Sequence, residues 1–255
     1  MSNGESPVQS VDRAVTILEL LAERGEAGAT EIAIALGVHK STAFRLTSAL
    51  ERRGLVAQPG ERGKYRLGLG LVRLAGAATA RLDLAQHSRP TCERLALQVA
   101  ETVNVAVLYG GAALNIDQVL GPSAVTTHNW VGQRTPLHAT SSGKVLLAFL
   151  APERADQLLS AELQRFTPQT ITDPAELRTQ LAAVRLNGYA CTAEELEQGL
   201  NAVAAPLYGP DGEVIAAVSA SGPSFRLTQQ RIPAVADVVC AAAAEISLGL
   251  GHRAT

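Results

Sequence analysis

Two short stretches carry side chains whose types and spacing could do chemistry. The first is Lys40-Ser41-Thr42-Ala43-Phe44-Arg45, just after Gly37. Short polar and basic side chains at the start of a helix can reach the hydrogen-bonding edges of bases, while the helix's own leading amides face phosphate. Lys40, Ser41, Thr42 and Arg45 meet that requirement, with Arg45 the leading candidate for a base contact. The second stretch is Ser141-Ser142-Gly143-Lys144. Its hydroxyls and amides could present donors to a carboxylate, and a simple helix cap at Ser141 would account for the serine equally well. The same residues fit S-x-x-K, in which a lysine one turn away activates a serine nucleophile. No S-D-N, K-T-G or G-x-S-x-G element accompanies it, and His39, His87, His128, His138 and His252 show no catalytic grouping. A serine-type hydrolase or a stand-alone binding module is therefore kept as the alternative, and no catalytic residue is assigned.

Other features carry less. Cys92, Cys191 and Cys240 are widely separated and have no second Cys or His at ligand spacing, so they read as reduced, mostly buried thiols rather than a disulfide framework or a metal site. Gly68-Leu69-Gly70 begins like a dinucleotide loop but lacks the third glycine, so no cofactor is expected. In Ser219-Ala220-Ser221 the two hydroxyls would share one face of a strand. The net charge of −2 does not itself suggest a nucleic-acid partner. Its distribution does: Val38 to Ala75 holds eight basic residues against Glu51 and Glu61, a local balance of +6, which leaves −8 elsewhere. Such asymmetry concentrates positive potential on one small surface.

These residues need elements to position them. Val11, Ala14, Val15, Leu18, Leu21 and Ala22 recur at helical spacing after Ser10, a candidate cap, and predict a helix to about Glu23. Thr30 can cap a short second helix that Gly37 ends. A third, from about His39 to Arg53, turns Ala43, Leu46 and Leu50 inward and leaves Lys40, Ser41, Thr42, Arg45 and Ser48 outside. Leu55–Gln58 and Lys64–Leu67 then flank a Pro-Gly turn and read as a hairpin with a basic tip. Three helices plus a hairpin make a winged helix-turn-helix, in which Lys40, Arg62, Lys64 and Arg66 suit phosphate or minor-groove contacts.

The chain of 255 residues, 47% hydrophobic and 18% charged, is long enough for two cores. The expected division is a DNA-binding domain over 1–75, a linker helix over 76–89 and a second domain over 90–255, with Pro90 opening its first helix. Strands are predicted at Asn104–Tyr109, Ala113–Leu120 and Val125–Trp130, followed by helices at Ser141–Leu150, Pro152–Leu159 and Asp173–Leu186. Further strands fall at Tyr189–Thr192, Ala202–Leu207 and Val214–Ser221, before a last helix from Thr228 to about Leu248. This mixed order predicts an α+β fold with an antiparallel sheet and flanking helices. The polar start lacks the layout of a secretory signal, and no uninterrupted apolar run approaches the ~18 to 20 residues of a membrane helix. A cytoplasmic location without membrane contact is the expectation.

The stretches Val8–Ala14, Leu36–Leu46 and Tyr65–Gly68 resemble the DNA-binding half of IclR-type regulators. Gly132–Lys144, Asn187-Gly188-Tyr189, Glu194-Glu195, Gly199-Leu200 and Ala204-Ala205-Pro206 are similar to the effector half, in order and spacing. The resemblance implies a GAF-like effector domain, a homodimer or homotetramer, and control of a nearby operon, by repression more often than activation, through operator DNA and a small metabolite. It also implies a pocket lined by Ser141, Ser142, Thr192, Ala202, Ser219 and Ser221. Members that sense small oxo-acids often carry an acid and a cysteine at the positions of Thr192 and Ala202. With Trp130 and Phe149 as further candidate walls, an aromatic or otherwise larger carboxylate is expected here, rather than a two-carbon acid.

Overall fold

A computed structural model describes residues 8–58, 63–79, 83–122, 129–160 and 162–253. The chain divides into two compact units, Met1–Leu82 and Asp83–Thr255.

In the first unit, α1 (Gln9–Arg24) buries Ile17 and Leu21 on one stripe. Ser10 lies inside its first turn rather than at the cap, which falls at Val8. β1 (Ala27–Gly28) runs directly into α2 (Ala29–Ala35). Thr30 is not the cap of α2, because the helix begins one residue earlier: the Gly28 N–H donates to the Glu31 carboxylate at 2.6 Å and closes that end. Gly37, at φ +62, makes the left-handed turn into α3 (Lys40–Arg52).

β2 (Val56–Ala57) pairs antiparallel with β3 (Lys64–Leu67), Val56 opposite Leu67. β1 pairs with the other edge of β3, a pairing that sequence patterns did not predict, so the small sheet has the order β1-β3-β2. Ile17, Leu21, Ile32, Ala43, Leu50, Val56 and Tyr65 form the core of the unit. α4 (Gly70–Thr79) follows. Gly68 and Gly70 sit where backbones meet: their N–H groups donate to the carbonyls of Leu55 and Gly54 at 2.9 and 2.8 Å. A Cβ on Gly68 would stand 2.2 Å from the Gly54 oxygen. Close packing, not phosphate binding, accounts for this Gly-Leu-Gly.

The second unit opens with α5 (Asp83–Val99), and Pro90 lies inside that helix rather than at its start. Proline is tolerated there because it and Gln86, whose carbonyl loses an intrahelical donor, are both exposed. Of the linker helix expected over 76–89, residues 76–79 end α4, 83–89 begin α5, and 80–82 lie outside the described residues.

β4 (Thr102–Tyr109) and β5 (Ala112–Val119) follow as a hairpin, then β6 (Arg134–Thr135). Of the strand expected over Val125–Trp130, residues 125–128 lie outside the described residues, and Asn129 and Trp130 are not part of a strand. The edge strand is β6 instead, against Ala113 and Leu114. Next come α6 (Ser141–Ala148), α7 (Pro152–Leu159), α8 (Pro174–Asn187), β7 (Ala190–Ala193), β8 (Leu200–Tyr208), β9 (Val214–Pro223) and α9 (Ile232–Gly249). All strand pairs are antiparallel, in the order β6-β5-β4-β9-β8-β7.

Alternation along the strands divides the residues between two faces. Val103, Val105, Val203, Ala205, Ala216, Val218 and Ala220 join Leu95 and Val99 of α5 and Val235, Val239 and Ile246 of α9 in one core. Ala106, Ala204 and Ala217 join Val145 of α6 and Leu177 and Leu181 of α8 in the other. By length and composition α9 could cross a membrane. Its buried stripe, including Val235, Val239 and Ile246, instead packs on the sheet, which identifies a core helix.

Candidate functional site

Two arrangements could bind a partner, one in each unit. In the first unit, successive α3 residues turn by about 100°, which places Lys40, Ser41, Phe44, Arg45 and Ser48 within one arc and Ala43, Thr47 and Leu50 on the buried side. Lys40, Ser41 and Arg45 are exposed and Thr42 is half-buried at the margin. Phe44, which sequence reasoning passed over, is 56% exposed in the middle of that polar arc. Helical spacing alone could have found it: it lies one turn after Lys40 and one before Ser48.

On the hairpin, Lys64 and Arg66 are exposed on one side of β3, while Tyr65 between them anchors the strand in the core. Lys64 is paired with Glu26, so a phosphate there would have to compete with an acid. Arg62 lies outside the described residues.

The second arrangement is a cavity of about 500 Å³, its mouth included, between the sheet and α6. Trp130, Ser141, Ser142, Thr192, Ala202, Ser219 and Ser221 all line it. Strand register explains the convergence: Ser221 stands opposite Ala202 across β8 and β9, Ala202 opposite Thr192 across β7 and β8, and Ser219 opposite Asn104 across β4 and β9. All lie on the sheet face away from α5 and α9.

Phe149 is not part of the cavity. It packs edge-on against Tyr208 at a centroid distance of 6.0 Å, about two helical turns beyond the α6 residues that line the cavity. Asn104, Asn115, Thr135, Ala139, Thr140, Leu196 and Leu200 complete the lining. Sequence reasoning missed them because a β-bulge, two loops and the register of β4 against β9 bring them in.

Thr140, not Ser141, caps α6: its hydroxyl accepts from the Gly143 N–H at 3.2 Å and donates to the Pro136 carbonyl at 2.8 Å. Ser141 is therefore the first residue of the helix, at the positive end of the helix dipole. Gly143 has no room for a side chain, since a Cβ would stand 2.5 Å from the Leu137 backbone. On the opposite side of the mouth, the Trp130 N–H donates to Gln118 Oε1 at 3.0 Å and the Gly132 N–H to the Asn115 carbonyl at 2.8 Å, fastening the tryptophan loop to β5.

Lys144 is 1% exposed and points away from any serine chemistry. Its Nζ donates to both Glu195 oxygens, at 2.6 and 2.7 Å, and to Gln180 Oε1 at 2.7 Å. With three acceptors around it, Nζ has no lone pair to offer Ser141. The Glu195 carbonyl accepts from the Thr170 hydroxyl at 2.7 Å, so the β7–β8 loop that carries Leu196 into the cavity is tied to the segment before α8 as well as, through Lys144, to α6. Burial pushes the Glu195 carboxyl above its ordinary value, against the opposing pull of the Lys144 charge. Of the cysteines, Cys92 is buried, Cys240 half-buried and Cys191 exposed on the outer face of edge strand β7, so the expectation of mostly buried thiols holds for one of them. Among the described residues no cluster of His, Cys, Asp or Glu could hold a metal ion.

Residues 10–60 match the IclR helix-turn-helix domain, and residues 76–248 match the C-terminal domain of the bacterial transcriptional regulator IclR. The chain belongs to the IclR family of transcriptional regulators. It is 35% identical over 247 residues to the HTH-type transcriptional regulator BhcR of Paracoccus denitrificans, covering 96% of this chain and 88% of that one. To the HTH-type transcriptional repressor AllR of Escherichia coli K12 it is 37% identical over 248 residues, covering 96% and 92%. Among solved structures, an IclR homologue from Microbacterium hydrocarbonoxydans in complex with 4-hydroxybenzoate superposes with a TM-score of 0.84 at 33% identity, covering 94% of this chain and 98% of that one. An IclR regulator from Alicyclobacillus acidocaldarius gives 0.85 at 27% identity, covering 96% and 100%.

Membership assigns this IclR-family chain to DNA-binding regulators that respond to ligands, with a helix-turn-helix domain followed by an α+β effector domain. In helix-turn-helix domains the second helix of the motif enters the major groove, and α3 is the helix that follows the turn at Gly37. In the second unit, the cavity brings hydroxyls from several elements to face one small space.

Proposed function

We propose that this IclR-family regulator represses its target by holding operator DNA with α3 and the hairpin, and lets go when a small organic acid enters the cavity. Residues 1–75 serve DNA, 76–89 link and 90–255 sense. Lys40, Ser41, Thr42 and Arg45 read bases, while Arg62, Lys64 and Arg66 hold phosphates. The acid's carboxylate sits against Ser141 and Ser142 at the start of α6, with Thr192, Ala202, Ser219 and Ser221 beneath it and Trp130 as a wall. One observation carries the sensing half of this reading: hydroxyls from α6, β7 and β9 converge on one cavity that the N-terminus of α6 also lines. AllR, named a repressor, and the homologue that holds 4-hydroxybenzoate support the direction of control and the ligand class.

A regulator of this kind works in the bacterial cytoplasm as a homodimer or homotetramer, since paired helices match a two-fold operator. It is not an enzyme in this reading, because Lys144 is committed to Glu195 and Gln180. Fluorescence anisotropy of a labelled fragment from upstream of its own gene, with competitor DNA and pooled aromatic or aliphatic acids, tests the proposal. Specific binding that an acid pool weakens is the expected result. Binding that an acid strengthens would overturn repression by release, and specific binding that no acid alters would overturn the sensing half.

A further inference from the structure

Asn104 occupies the centre of the cavity floor. It stands on β4 between Gln118 of β5 and Ser219 of β9, each directly opposite it in register. The residue is 6% exposed, lines the cavity, and its Oδ1 has no hydrogen-bond partner. The other buried oxygen in this state among the described residues, Asp117 Oδ2, belongs to a carboxylate whose second oxygen is held by Arg89, and Asp117 does not line the cavity. A buried amide without partners is destabilising, and replacement by an apolar side chain of similar size removes that penalty. A buried amide oxygen left without a donor, on a residue that lines a cavity, is therefore what a site for a polar ligand group looks like before the ligand arrives.

We propose that Asn104 is the specificity-determining residue of the cavity and selects an acid that carries a hydroxyl group. The inference rests on the acid-sensing reading above and adds the second functional group of the ligand. A carboxylate can only accept, so it could pair with the Asn104 NH2 but would leave the amide oxygen without a donor. The carboxylate belongs at the start of α6, where the helix dipole favours negative charge. A hydroxyl both donates and accepts, so it satisfies the amide in either orientation about its terminal torsion. Trp130, Leu196 and Leu200 supply apolar surface for the body of the molecule that joins the two groups.

The test uses the full-length protein and matched acids: benzoate, 4-hydroxybenzoate and 4-methoxybenzoate, with butyrate and 4-hydroxybutyrate as the aliphatic pair. Calorimetric titration gives affinities, and thermal melting of the unliganded protein reports folding. In at least one series the wild type should bind the hydroxy acid about tenfold or more tightly than the parent, with the methoxy acid, which cannot donate, behaving like the parent. Asn104→Leu should abolish that preference and should melt no lower than wild type, a combination that a purely structural asparagine would not give. Ser142→Ala should weaken both members of a pair alike.

A wild type that binds parent and hydroxy acids equally, or an Asn104→Leu protein that keeps the preference, overturns the proposal. Should Asn104→Leu not fold, Asn104→Ala carries the same comparison, and the wild-type preference alone can still refute it. If no acid binds the wild type, the acid-sensing reading has failed and this inference falls with it, an outcome distinct from binding without preference.

Discussion

At the scale of single residues, packing and readout on α3 fall to different side chains, so they can be separated by substitution. Arg45 is exposed and reaches no described partner that the fold requires, whereas Ala43 and Leu50 are core. Arg45→Ala should lower specific operator affinity about tenfold or more, a loss of about 1–3 kcal/mol, with the melting temperature almost unchanged. Phe44→Ala should also weaken specific binding, because an exposed aromatic in that arc suits contact with a thymine methyl. Anisotropy against specific and scrambled fragments distinguishes this from a general loss of affinity. The thiols make a second residue-scale prediction. Burial, aided by Asp117, pushes the Cys92 thiol up to about 12, while Cys191 is exposed on an edge strand. Alkylation of the native protein at pH 8, followed by mass spectrometry, should label Cys191 well before Cys92.

At the scale of elements, the Lys144–Glu195 pair matters because it joins α6 to the β7–β8 loop, the two walls of the cavity. Removing one partner of a buried pair costs about 3–5 kcal/mol, so Lys144→Met should lower stability by that order in urea unfolding. The sign of its pH dependence follows from Glu195. Its folded-state value is raised, so between the ordinary carboxylate value and the raised one the folded state binds more protons than the unfolded state, and stability falls as pH rises. Without Lys144 the carboxyl loses its opposing charge and rises further. The deficit of Lys144→Met should therefore be larger at pH 8 than at pH 4.5, and an equal deficit at both would show that the charge of Lys144 does not matter. Sequence analysis located the elements on either side of this pair and could read the lysine only as S-x-x-K. The partner lies far along the chain in a loop of weak pattern.

At the scale of the whole molecule, function is a coupling between two binding events. If the acid lowers operator affinity by some factor, the operator must lower acid affinity by the same factor. Titrating the acid with and without saturating operator DNA should return matching ratios, and an effect on one side alone would contradict ligand-gated control. The DNA side should be strongly salt-dependent, because eight basic residues between Val38 and Ala75 outnumber two acids. Lys40→Ala should flatten the dependence of log K on log salt by about 0.9 for each phosphate left without its cation.

The sequence by itself determined what is local. Periodic apolar residues and glycine stops specified three helices and a hairpin, and the polar and basic residues of α3 were legible because one turn of helix fixes which side chains share a face. Six cavity residues were named from family likeness and Trp130 as a candidate wall, and strand alternation supported one pair of the six, Ser219 and Ser221. Only the tertiary structure decided that these seven surround one cavity, that Asn104 joins them with an unpaired amide, and that Phe149 does not. The physical reason is register: alternation says which strand residues share a face, but which residue of β4 stands opposite Ser219 depends on pairing across more than a hundred residues of chain.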